Sequence, residues 1–121
     1  MVLVLDDDHI NNFIFEKTFE KSSIPLQLKT FEEQNDLYGF LQHLDNNEIT
    51  LSYLFLDLNL KNITGIEVAE VLLKNYPNLK IIILTSNIDP QSAQAKNKLP
   101  NIIDFAEKPI TLEKLYRFIG L

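Results

Sequence analysis

The polar residues of this 121-residue chain that could do chemistry stand where short apolar runs end. Asp6, Asp7 and Asp8 follow VLVL, Asp57 and Asn59 follow LFL, Thr85 and Ser86 follow IIIL, and Glu107 and Lys108 follow the run that begins at Ile102. If the runs carrying Asp6 and Asp57 are neighbouring strands, their carboxylates converge. Two unit charges about 5 Å apart repel by roughly 3 kcal/mol at an effective dielectric near 20, so something positive has to offset them. The chain has no Cys, and a few carboxylates with water completing the shell suit Mg²⁺. Lys108 is the one basic residue immediately at such an end, placed to pair with a carboxylate or a bound phosphate.

Each residue also has a plainer reading. Asp57 could simply turn the chain by bonding its own downstream backbone. Asp6 to Asp8, and Asp8 above all, could cap a helix, since negative charge suits a helix N-terminus. Thr85 and Ser86 could be turn formers and Lys108 a solvated boundary lysine. His9 and His43 have no partner motif and read as surface residues. The joint occurrence at four run ends favours a site over four coincidences.

The elements that would position these groups follow from hydrophobic periodicity. Residues 2–5, 26–31, 51–56, 81–84 and 102–106 read as strands, the fourth buried on both faces. Between them lie helical patterns. Ile10, Phe13, Ile14 and Thr18 share a face within 9–21, with Phe15 and Phe19 alongside; Leu37, Phe40, Leu41 and Leu44 form a second helix ending in the polar stretch 45–48. Ile66, Ala69, Leu72 and Leu73 form a third, after a loop over 57–65. Residues 90–98 give a weak fourth, opened by Asp89 as N-cap and Pro90 as first helical position. Thr111 caps a fifth carrying Leu112, Leu115, Tyr116 and Ile119. Five strands alternating with five helices predict a single α/β domain over 1–121, a doubly wound parallel sheet that binds ligands beyond the carboxyl ends of its strands.

Composition narrows the function. Seventeen acidic against eleven basic residues give a net charge of -6, the wrong sign for direct nucleic-acid binding through phosphates. The missing cysteines exclude disulfides and thiol chemistry and fit a reducing compartment. No apolar run approaches the roughly 20 residues of a membrane span, and MVLVLDDD lacks the basic and apolar regions of a signal peptide. A cytoplasmic protein without membrane contact is the expectation.

In this order and at these separations, VLVLDDD, LFLDLNLKNITGIEVAEVL, IIILTS and FAEKPIT resemble a receiver domain of a two-component response regulator. The resemblance covers nearly the whole chain and implies a flavodoxin-like strand order of 2-1-3-4-5. It implies that Asp57 accepts a phosphoryl group from a phosphohistidine of a sensor kinase or histidine phosphotransfer protein. Asp7 and Asp57 would ligate Mg²⁺, or Mn²⁺ in its place, with the backbone carbonyl of Asn59, and Asp6 would hold a metal-bound water. Lys108, Thr85 and Ser86 would hold the phosphoryl group. Thr85 and Phe105 would form a conformational switch that controls binding of a downstream target protein, and the Lys108-Pro109 bond would be cis. Such a domain catalyses only its own phosphorylation and slow autodephosphorylation. Homodimerisation through the fourth and fifth helices is a family option, as is origin from a larger regulator or hybrid kinase. Departures from the pattern are Lys61, where many members carry proline, the absent Gly-Ala pair before the fifth strand, and Phe105 in place of a tyrosine.

Two other functions compete. A haloacid-dehalogenase-type phosphatase also places a nucleophilic Asp after an apolar strand, but its general-acid Asp would fall at Asn59, which has no carboxyl proton to donate. A pseudo-receiver would bind a partner without phosphorylation.

Overall fold

In a computed structural model, residues 1–120 are described and the strands lie where the apolar runs are. β1 (Val2–Leu5), β2 (Leu28–Phe31), β3 (Tyr53–Asp57), β4 (Lys80–Thr85) and β5 (Ile102–Glu107) pair in parallel in the order β2-β1-β3-β4-β5. The register sets Leu5 beside Leu56 and Asp57 beside Leu84, so β1, β3 and β4 end at one edge.

Alternate residues along the strands feed two cores. Leu3, Leu5, Leu54, Leu56, Ile81 and Ile83 face one way, with Leu37, Leu41, Val68, Ala69 and Leu72 packed on them. Val2, Val4, Phe55, Ile82 and Leu84 face the other, under Phe15, Leu115 and Ile119. Burial on both faces is what continuous apolar strands require of a parallel sheet. Each fully buried Leu or Ile contributes roughly 1.5–3 kcal/mol of transfer free energy.

The helices are α1 (His9–Lys21), α2 (Gln34–Leu41), α3 (Asn46–Thr50), α4 (Gly65–Asn75), α5 (Pro90–Ala93), α6 (Ala95–Lys98) and α7 (Leu112–Ile119). Seven segments replace the five expected, for two local reasons. Residues 45–48, read as the polar end of a helix, start α3 instead: Asp45 accepts from the Glu48 N–H and the Glu48 side chain accepts from the Asp45 N–H, a complete capping box. The weak helix over 90–98 breaks into α5 and α6, none of whose residues is buried. Its start is as expected, with Pro90 in the first turn and Asp89 accepting from the Ser92 N–H. Thr111 caps α7 by accepting from the Lys114 N–H.

α1 packs through Asn12 and Phe15. The face of Ile10, Phe13 and Ile14 is turned outward, with Ile10 57% and Phe13 56% exposed. Asn101, in the region where the Gly-Ala pair is absent, is buried and donates its amide to the Ala69 carbonyl at 2.9 Å, tying the turn before β5 to α4. No described helix is long and apolar enough to cross a membrane.

Candidate phosphoacceptor site

The acidic triplet after β1 divides its work. Asp6 is buried, 2% exposed, and its Oδ1 accepts from the Asp8 N–H at 2.9 Å. Asp7 is half-buried and its Oδ2 accepts from the backbone N–H of Lys61 at 2.6 Å. Asp8 is exposed and caps α1, accepting from the Ile10 N–H, so for this residue the capping reading holds.

Asp57 arrives at the same edge on β3. The Leu58 N–H still donates to the Leu84 carbonyl of β4, which keeps the backbone in the sheet's line as the carboxylate reaches the rim. Asp57 is 5% exposed, and its Oδ1 accepts from the Asn59 N–H at 3.3 Å. That last bond is the turn chemistry of the plainer reading, so Asp57 turns the chain and faces the site together.

Lys108, at the end of β5, joins the two. Its backbone N–H donates to the Thr85 carbonyl, and its ammonium lies 2.9 Å from Asp57 Oδ1 and 3.0 Å from Asp6 Oδ2. The Lys108-Pro109 peptide is cis. Burial pushes the Asp57 carboxyl above its ordinary value; the Lys108 hydrogen bond opposes that, and the charge of Asp6 adds to it. For Lys108, burial disfavours the ammonium, but hydrogen bonds and charge from Asp57 and Asp6 outweigh it and hold the group above its ordinary value.

Three carboxylates gather here and the one lysine pairs with two of them, Asp6 and Asp57. Asp6, Asp7 and Asp57 each offer an oxygen, all within 4.8 Å of one another. Uncompensated negative charge and an all-oxygen donor set fit a hard divalent cation.

Thr85 is buried at the end of β4. Its hydroxyl donates to the Asn87 carbonyl and accepts from the Asn87 N–H, so it is bonded within its own loop. Ser86 next to it is exposed. Phe105 is 8% exposed and packs in the core under α4. The structure therefore gathers Asp6, Asp7, Asp57 and Lys108 tightly, and leaves the Thr85 hydroxyl engaged elsewhere.

Asn12 is absent from the sequence reading. It is buried in α1 and donates its amide to the Asp6 carbonyl at 2.9 Å, fixing the backbone from which the Asp6 side chain departs. The available signal is an Asn one turn beyond an acidic triplet, on the same turn as Phe15, masked by the stronger stripe of Ile10, Phe13 and Ile14.

The family model described as response regulator receiver domain matches residues 2–119. Among solved structures, a response regulator receiver protein from Pseudomonas putida is 20% identical, with a TM-score of 0.78 over 98% of this chain and 93% of that one. The chemotaxis protein CheY4 from Vibrio cholerae is 18% identical, with a TM-score of 0.76 over 98% and 94%. The response regulator Rcp1 in its Mn(2+)-bound form is 20% identical, with a TM-score of 0.70 over 98% and 87%. At these identities the likeness is one of fold. No protein of curated function matches the sequence.

Proposed function

The chain belongs to the response regulator receiver domain family, and from that premise we propose that residues 1–121 are one receiver domain whose Asp57 takes a phosphoryl group from a phosphohistidine. The donor is a sensor kinase or a histidine phosphotransfer protein. The observation that carries this reading is the ammonium of Lys108 set between Asp57 and Asp6 at the carboxyl edge of the sheet.

Asp57 Oδ1 is engaged by Lys108 and the Asn59 N–H, and neither bond uses Oδ2. Oδ2 attacks phosphorus in line, the P–N bond to imidazole breaks, and the leaving nitrogen keeps the electron pair and is protonated. Lys108 then neutralises charge on the transferring oxygens at the acceptor it already touches. Asp7, Asp57 and the Asn59 carbonyl would hold Mg²⁺ or Mn²⁺, with Asp6 bonding a coordinated water. The cation would supply further charge neutralisation and alignment of donor and acceptor. The observation supporting a cation there is the convergence of Asp6, Asp7 and Asp57 oxygens within 4.8 Å of one another.

To reach a phosphoryl group on Asp57, the Thr85 hydroxyl has to leave Asn87, with Ser86 supplying a neighbouring donor. That rearranges the loop after β4, while Phe105 starts from a position that is already buried. A new dianion biasing this pair is the switch that would control a downstream target protein. Ile14 lines the cavity that also contains Lys108 and Pro109, so the outward face of Ile10, Phe13 and Ile14 offers the donor protein an apolar approach next to the site. A cytoplasmic setting, no direct nucleic-acid contact, and dimerisation through residues 90–98 and α7 complete the proposal. Asn59 supplies no general acid two residues after Asp57, which weighs against a phosphatase.

Incubation with Mg²⁺ and acetyl phosphate tests the reading. Intact mass should rise by one phosphoryl group in the wild type and not in Asp57→Asn. A wild type left unmodified by small donors and by cognate kinases would be a pseudo-receiver.

A further inference from the structure

The loop after β3 is fastened at its base and at its tip. At the base, the Gly65 N–H donates to the Leu58 carbonyl at 2.8 Å, and Asn59 and Thr64 form an antiparallel bridge. At the tip, the backbone N–H of Lys61 donates to Oδ2 of Asp7 at 2.6 Å, joining positions 54 residues apart in the chain. Many members of the family carry proline at this position, and proline has no N–H to give. The substitution therefore adds a backbone donor, which the Asp7 carboxylate accepts; the exposed Lys61 side chain is not part of the bond.

We propose that the Lys61 backbone N–H is a positioning group for the cation site, fixing Asp7 through Oδ2 and leaving Oδ1 for the cation. It also ties the Asn59 carbonyl, two residues earlier on the same loop, to the segment between β1 and α1. The inference rests on the reading of Asp7 and Asn59 as ligands. A carboxylate has two oxygens and about four lone-pair directions, so one N–H orients it without exhausting it. Outer-shell hydrogen bonds of this kind fix ligand orientation. A latched loop presents its carbonyl before the cation arrives, and the ordering cost is met in folding rather than in binding.

Calorimetric titration with Mg²⁺ of the wild type, Lys61→Ala and Lys61→Pro separates backbone from side chain. Lys61→Ala keeps the N–H and should bind as the wild type does. Lys61→Pro removes it and should bind about tenfold more weakly, the scale of a lost outer-shell partner. Equal affinity in all three, or equal weakening in both variants, overturns the latch and leaves the cation site standing. No Mg²⁺ binding by the wild type overturns both. If Lys61→Pro does not fold, amide exchange in the metal-free wild type decides: the Lys61 amide should exchange slowly and be released by Asp7→Ala. Exchange at the rate of an unprotected loop amide overturns the proposal.

Discussion

The two ends of the sheet each hold a lysine, and the lysines are shifted in opposite directions. At the amino end, Lys80 opens β4, donates to the Thr50 carbonyl and sits 4.7 Å over the ring of Tyr53. Burial alone pulls its ammonium below the ordinary value. At the carboxyl end, Lys108 is also partly buried, with a side chain 16% exposed, yet it is held above that value because Asp57 and Asp6 face it. Removing a lysine from water always favours the neutral amine; only fixed carboxylates reverse the sign. A carbonyl and a ring suffice to seat a lysine, whereas the carboxylate pair makes one that stays charged despite its burial.

The largest expected effect breaks the carboxyl end alone. Lys108→Ala should slow phosphorylation of Asp57 by acetyl phosphate about 10²- to 10³-fold, the usual loss when a charge-stabilising donor leaves a reacting centre. Lys80→Met should leave the rate unchanged in the same time course of intact mass. Equal losses would erase the distinction between the ends.

Next comes the tight packing behind Asp57. A Cβ on Gly65 would stand 2.5 Å from the Asp57 carbonyl oxygen, whereas one on Gly39 in α2 meets nothing within 4 Å. In urea titrations Gly65→Ala should cost about 1–3 kcal/mol, and Gly39→Ala should add about 0.5–1 kcal/mol.

A smaller effect is set by pH. Asp57 is held above its ordinary value of 3.8, so its ionisation weighs against the metal-free fold. Below 3.8 both folded and unfolded chains are protonated and there is no penalty. As pH rises through the folded value the penalty develops in full. Asp57→Asn should therefore melt a few degrees above the wild type at neutral pH, with the gap closing on acidification, as thermal melts across pH would record. A gap that widens in acid would mean that Lys108 dominates the pair. Smallest of all, Lys80→Met gives up the bond to the Thr50 carbonyl and the Tyr53 contact but relieves a desolvated charge, and should shift stability by no more than about 1 kcal/mol.

The central strands β1, β3 and β4 were legible because each is a run of apolar residues buried on both faces, and the edge strand β2, LKTF, because its residues alternate. Asp6, Asp57 and Lys108 were legible because charge at the end of such a run has few other places to go. α3 escaped because Leu44 continues the periodicity of the preceding helix, although the pattern Asp45-x-x-Glu48 is a written capping signal. The packed face of α1 was misleading because Ile10, Phe13 and Ile14 outnumber the true anchors Asn12 and Phe15. The Lys61 bond could not be read at all, since every residue but proline has a backbone N–H and only the folded loop says which one meets Asp7.

In the crossover from β4 to β5 neither short helix buries a side chain, and Ala95 and Leu99 lean on the core. Its sequence is thus free of the packing constraint that binds the strands. Substitutions over 90–98 should therefore accumulate with little penalty to folding, leaving the carboxyl-edge cluster untouched. The carboxylate–lysine cluster and this lightly packed crossover thus answer to different physical constraints.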